Sequence, residues 1–405
     1  MRRFGTAARL ALGTASALGL ARFAYGLLLP GMRDDLGWTL AEAGAMSTAN
    51  GLGYLVGALA TAPLVRRLGT TAAFRWGMAV TAATLAGTAV SADFTVLLVV
   101  RAASGVSGAV VFVTGGVIAA RRNVLTVYFA GAGLGIAVSG ATIPLLGGHW
   151  RAVWLGMGLA AALATAVSWT AARTDDVVGG TLGRAVIRPL APVAVAYALF
   201  AVGYITYITF LSAYLAERDT LAWGVASTWT ALGLAVVFSP VLWDRPLRTW
   251  RGGRALAAIL ALLGGSAVVA LVGAVVPSAV LYGLTFMCVP AAVTALIKAR
   301  VADPTATLAA FTTLFAAGQT VGPWLAGVVA DRTSTDATVL WTAVLCWAGA
   351  LVALCVKGSA SAGRGPRPRT RRAPGPPGRS SPVPGATGRR PPGPARPGPD
   401  PRTEA

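Results

Sequence analysis

Runs of roughly 20 apolar residues, each long enough to carry a helix across a hydrocarbon core about 30 Å thick, recur along almost the whole chain. They fall at approximately 8–30, 42–64, 72–92, 94–119, 124–147, 152–172, 189–215, 222–242, 254–276, 278–300, 305–329 and 337–357. Twelve such runs leave little choice of architecture. In lipid every backbone polar group must be satisfied within its own segment, so the expectation is an all-α membrane protein of twelve transmembrane helices. With 55% hydrophobic and only 12% charged residues and a mean hydropathy of +0.67, the composition agrees. The formal charge of +20 would suggest nucleic acid if the arginines lined one soluble face. Most of them instead punctuate the gaps between apolar runs, so no specific nucleic-acid partner is expected, and membrane lipid is.

The first run, in "MRRFGTAARLALGTASALGLARFA", has the basic start and apolar middle of a signal peptide. Its apolar character resumes after Arg22 through Leu29, so it reads as an uncleaved first span. Alternate connections differ sharply in charge. One set carries Arg2, Arg3, Arg9, Arg66, Arg67, Arg75, Arg121, Arg122, Arg173, Arg184, Arg188, Arg245, Arg248, Arg251, Arg254, Lys298, Arg300 and Lys357. The other carries only Arg33, Arg151, Arg218 and Arg332, mixed with acids. By the positive-inside rule both termini lie in the cytoplasm, here of a bacterial inner membrane.

The longest polar break, "ARTDDVVGGTLGRAVIRP", divides the runs into two sets of six. The organisation expected is an N-terminal half (1–172), a cytoplasmic linker (173–188), a C-terminal half (189–357) and a disordered Pro/Arg-rich cytoplasmic tail (358–405). Two internal echoes support the halves. Gly131, Gly135 and Gly140 in the fifth run share their spacing with Gly318, Gly322 and Gly327 in the eleventh. "ARFAYGLLLP" in the first aligns with "GYITYITFLS" in the seventh, matching Tyr25 to Tyr207 and Leu29 to Leu211. Parallel repeats with corresponding glycine-broken helices point to a transporter whose site lies between the halves near mid-membrane.

The layout resembles the major facilitator superfamily over residues 5–357. More narrowly, "GLARFAYGLLLPGM", "STANGLGYLVGAL", "VYFAGAGLGIAVSG", "YITYITFLSAYL" and "GQTVGPWLAG" are similar to segments of the YbfB/YjiJ-type transporter family. "LLVVRAASGVSGAVV" resembles the superfamily's arginine-plus-glycine motif at Arg101 and Gly105. The resemblance implies two six-helix pseudo-symmetric halves and alternating access, and says little about substrate. One departure stands out. The superfamily pattern G-x-L-A-D-R-x-G has its acid between helices two and three, whereas "APLVRRLG" has Ala62 for the glycine and Arg66 for the aspartate, with Asp244 and Arg245 a partial substitute in the other half.

Arg22 lies about 14 residues into the first span, roughly 21 Å along it, where an arginine costs about 2.5–3.5 kcal/mol on insertion scales. Three readings are open: it faces a central cavity, it pairs with a carbonyl or a loop acid, or it snorkels to the surface. At about 100° per residue, Gly19, Tyr25 and Gly26 share its face, as a helix or cavity contact needs. Arg101 has Ser104, Gly105 and Gly108 on its face, with Glu42 or Asp93 as alternative partners. Asn50, Tyr54, Thr206, Tyr207 and Gln319 are uncharged polar groups within spans, fit either for a ligand or for holding helices together. The candidate substrate-binding set is Arg22, Tyr25, Asn50, Tyr54, Arg101, Tyr207 and Gln319.

No acid sits deep in a span, and the only histidine, His149, falls just beyond the fifth, where a structural role or proton sensing are both open. Fixed cations without a buried anion favour a substrate that brings its own negative charge, a carboxylate held in arginine's fork. Cys288, Cys346 and Cys355 have no metal or disulfide spacing, and "GAGLG" lacks the strand and acid of a dinucleotide loop, so neither cofactor nor enzyme activity is expected. The expectation is a monomeric secondary transporter of a small, anionic organic solute, with protons the candidate coupling ion. The alternatives are a drug or metabolite efflux carrier in which Arg22 serves structure, and a non-transporting sensor of the same fold.

Overall fold

The computed structural model describes residues 2–146, 149–173, 185–302 and 304–356, without side chains for residues 2–4 and 305. Most of the expected linker (174–184) and all of the expected disordered tail (358–405) lie outside the described residues. Twelve long helical segments follow one another: α1 (Gly5–Leu36), α2 (Leu40–Leu68), α3 (Thr70–Thr88), α4 (Phe94–Arg121), α5 (Leu125–Leu146), α6 (Trp150–Ser168), α7 (Arg188–Ala216), α8 (Ala222–Thr249), α9 (Arg254–Leu271), α10 (Val275–Lys298), α11 (Ala306–Arg332) and α12 (Asp336–Leu354). All except α3, diluted by threonine and Arg75, are long and apolar enough to cross a membrane. Among the described residues there is no strand.

The helices run longer than the apolar runs that announce them. α2 continues to Leu68 and α8 to Thr249, past Pro63, Pro240 and Pro246, because hydropathy marks the lipid-facing length and not the end of hydrogen bonding. Two helices are irregular. α1 is π-helical from Ala15 to Phe23, its bonds reaching five residues back, as in Ala24 N–H to the Gly19 carbonyl at 2.9 Å. α10 is divided into Val275–Gly283 and Cys288–Lys298 by a turn at 284–287.

Neighbour relations repeat with a shift of six helices. α2 packs on α4 as α8 does on α10, α3 on α6 as α9 on α12, and α1 on α5 as α7 on α11. Crosswise, α2 packs along α11 and α5 along α8, while α1 meets α7. The glycine triads follow the same rule. Gly131 and Gly135 abut α1 at Ala11, Ala15 and Gly19, and Gly318 and Gly322 abut α7 at Ala198, Ala201 and Val202. Gly140 meets Trp229 of α8, and Gly327 meets Leu40 and Ala41 of α2. Small residues let backbones close together, which is what helix association in lipid depends on.

The start of α2 shows how one end of the bundle is fastened. Thr39 and Glu42 form a reciprocal capping box. The first two amides, Leu40 and Ala41, donate instead to the Asp331 carboxylate of α11 at 2.7 and 2.9 Å. Nearby, Arg33 pairs with Glu217 at 3.9 Å, and Glu217 also accepts from Thr335. Asp331→Ala leaves two helix-start donors without their acceptor and is expected to cost about 1 kcal/mol, read from thermal unfolding in detergent. Asp244→Ala removes only an exposed i,i+4 pair with Arg248 and should change stability by less than about 0.5 kcal/mol. Asp244, expected in a connecting loop, thus sits on α8 and is engaged with its own helix.

Candidate functional site

α1 carries Arg22 in the last turn of its π-helical stretch, where the side chain is 8% exposed and α1 is enclosed by its neighbours. This burial removes the snorkelling reading. Among the described residues Arg22 forms no ion pair, and the guanidinium carbon lies 5.1 Å from the centre of the Tyr54 ring of α2. On the α7 side its neighbour is the Tyr204 hydroxyl. Tyr204 donates to Oε1 of Gln319 on α11 at 2.8 Å. Arg22, Tyr54, Tyr204 and Gln319 therefore converge from four helices.

The hydrogen-bonding balance of this group is one-sided. Arginine has only donors. The amide oxygen of Gln319 is taken by Tyr204, while its Nε2 is buried without a partner. The cluster offers protons and has its strongest acceptor already occupied, which suits a ligand rich in acceptor oxygens.

Arg101 makes a second, more enclosed station. It is 1% exposed, its Nη1 donates to the Ala21 carbonyl of α1 at 2.7 Å, and its guanidinium sits 5.0 Å from the Tyr25 ring centre and 5.2 Å from that of Trp154. Nε and Nη2 have no partner, nor does the nearby Ser104 hydroxyl. Glu42 is held in its capping box and Asp93 caps the start of α4 at Val96, so neither acid reaches Arg101. Cation–π contacts of this enclosed kind are worth about 2 kcal/mol.

The remaining candidates divide. Asn50 spends its amide on the Arg101 carbonyl at 3.2 Å, tying α2 to α4. The Tyr25 hydroxyl donates to the Ala43 carbonyl at 2.7 Å and its ring belongs to Arg101, not to Arg22. Tyr207 pairs with Ser278 of α10 at 2.6 Å and stacks on Tyr282 at 4.4 Å. Thr206 is buried with its hydroxyl unpartnered. The shared face assigned to Arg22, Gly19, Tyr25 and Gly26 is not kept: Gly19 lies on Gly135 of α5, and Gly26 on Ile208 of α7 and Trp229 of α8. The reason is the π-helical stretch, which changes the angle per residue on which that assignment rests.

Tyr204, the residue that joins Arg22 to Gln319, is absent from the sequence-derived set although it stands three residues before Tyr207 in the same motif. It also anchors an aromatic wall. Its ring stacks on Phe200 at 4.6 Å, Phe315 at 5.5 Å and Phe286 at 6.0 Å, and Phe286 meets Phe23, next to Arg22, edge-on at 5.8 Å. Among the described residues no three His, Cys, Asp or Glu side chains gather in a metal-binding group.

A family model described as the uncharacterised MFS-type transporter YbfB matches residues 14–357. Among solved structures, a mutant of the nucleoside transporter NupG superposes with a TM-score of 0.67 at 13% identity, covering 85% of this chain and 99% of that one. A bacterial homologue of the human lysosomal transporter Spinster, inward-facing and unoccupied, gives 0.66 at 13% identity, covering 88% and 99%. At such identity the likeness is one of fold. No curated protein sequence matches.

Proposed function

The chain belongs to the YbfB-type family of major facilitator transporters, and from that premise we propose that it is a secondary carrier of a small organic carboxylate, working by alternating access. It is a multi-pass membrane protein. The two halves, 1–172 and 189–357, rock about a central site, with both termini in the cytoplasm of a bacterial inner membrane and the monomer as working unit. The six-helix shift in neighbour relations and the paired glycine triads support this reading. α2 against α11 and α5 against α8 are then the sliding surfaces.

The observation that carries the anionic substrate is Arg22: a buried arginine fork with no carboxylate partner among the described residues, in a cluster that includes the unpartnered Gln319 amide. Tyr54, Tyr204 and Gln319 complete the site, and Arg101 stabilises the α1 backbone next to it. The aromatic wall favours a second reading, efflux of apolar aromatic compounds in which Arg22 serves structure.

Purified protein is screened by thermal shift against organic anions, organic cations and neutral compounds, a nucleoside included, and then assayed for flux in proteoliposomes. The expected result is stabilisation by carboxylates, with flux of the same compounds. Stabilisation by aromatic cations or neutral compounds alone supports efflux, and ligand binding without flux indicates a sensor.

A further inference from the structure

We infer that the carrier is an obligate anion exchanger: its site changes sides with an anion bound and stays where it is when empty. The inference rests on the reading of the Arg22 cluster as an organic-anion site and adds what that site imposes on the transport cycle.

The guanidinium of arginine is a cation that offers hydrogen-bond donors only. Every acid in the described helices lies within about two turns of a helix end: Asp34 and Asp35 at the close of α1, Glu42 at the start of α2, Asp244 near the end of α8, Asp331 at the end of α11 and Asp336 at the start of α12. The groups against Arg22 are the Tyr54 ring and the Tyr204 hydroxyl, the latter bonded in turn to the Gln319 amide, and none of them is a carboxylate. Arg101, which bonds the carbonyl of Ala21 next to Arg22 in the chain, carries the same sign. Among the described residues no acidic side chain pairs with Arg22, so the empty site holds a lone cation.

This matters at one moment of the cycle. While the site is open to one side, water reaches it and screens Arg22. To change sides, both openings must be closed together, and an unpaired cation is then held out of water, the arrangement most strongly disfavoured in a membrane interior. Arg101 is already out of water in this structure, with one carbonyl and two aromatic faces against its guanidinium and with Nε and Nη2 unpartnered. Arg22 has the face of Tyr54 and the Tyr204 oxygen. A carboxylate seated on Arg22 converts the disfavoured cation into a hydrogen-bonded pair and lets the occluded state form. Each anion carried one way is then followed by an anion carried back.

The full chain is reconstituted in liposomes with valinomycin and equal potassium on both sides, so that no membrane potential limits net flux. Labelled gluconate, succinate, glutamate and p-aminohippurate are presented outside, with the interior holding either the same unlabelled anion or potassium chloride in Tris buffer without organic anion. The expected result is uptake at least about tenfold faster into anion-loaded vesicles for whichever of the four is carried. Equal uptake into both kinds of vesicle overturns the exchange inference and leaves anion transport standing. Uptake of none of them in either condition, with no thermal stabilisation by any, overturns the anion reading and exchange with it.

Discussion

Arg22→Gln should reduce carboxylate flux roughly 100-fold or more while leaving the protein folded. Truncating one member of a buried, hydrogen-bonded charge pair costs about 2–5 kcal/mol, and here the pair exists only when substrate supplies the other member. In its absence Arg22 has no ion-pair partner among the described residues, so glutamine removes a buried unpaired cation. Thermal stability without substrate should stay the same or rise. Arg22→Lys keeps the charge and loses the two-pronged geometry, so most of the flux should be lost there too. Arg101→Gln should behave differently. It gives up the bond to the Ala21 carbonyl and the contacts with Tyr25 and Trp154, and is expected to lower stability by about 1–3 kcal/mol before any effect on flux is considered. Proteoliposome flux beside detergent melting separates the two arginines. Carboxylate flux retained in Arg22→Gln would remove Arg22 from the site.

The contrast between these arginines marks how far the sequence could be read. Hydropathy located all twelve helices, and even α3, the least apolar of them, appears as a run at 72–92 against an observed Thr70–Thr88. Arg22 is conspicuous in a sequence because a charge inside an apolar run has few bland explanations. Its partners are another matter. A helical wheel assumes one angle per residue, and the π-helical turns between Ala15 and Phe23 break that assumption at the residues that matter. Tyr25 consequently belongs to Arg101. Tyr204 and Tyr207 stand three apart on α7, and nothing local tells which of them meets α1 and α11 and which meets α10. That choice is made by the crossing of α7 with three other helices, and crossing geometry is a tertiary property. The glycine spacing, in contrast, was informative because close backbone approach requires a missing Cβ at fixed positions, whichever helix is the neighbour.

That requirement separates glycines that hold the bundle together from glycines at which it moves. Gly105→Val is expected to prevent folding. A Cβ at Gly105 would overlap the Asn50 carbonyl of α2 and lie 2.8 Å from the Tyr54 amide, and both are backbone atoms that no rotamer change can displace. From the other side Gly53 meets the Ala102 carbonyl of α4 and Gly57 that of Val106, so α2 and α4 are seated on each other over two turns. Forced overpacking costs about 1–3 kcal/mol where side chains can yield, and more is expected where they cannot. Gly233→Ala is equally crowded in this structure, against the Gly133 carbonyl and the Ala137 amide, yet it lies on the α5–α8 surface across which the two halves are proposed to rock. If that surface opens during transport, the clash is relieved in the alternative state, and the substitution shifts the population toward it without unfolding the protein. Gly233→Ala should therefore purify as a folded protein with flux reduced about tenfold or more, whereas Gly105→Val should give little folded protein at all. Gly265→Ala, with open space around it on α9, serves as the control and should be neutral or slightly stabilising by helix propensity. Equal loss of folded protein in Gly233→Ala and Gly105→Val would mean that α5 and α8 stay in contact throughout the cycle, and the rocking surface would have to be sought elsewhere.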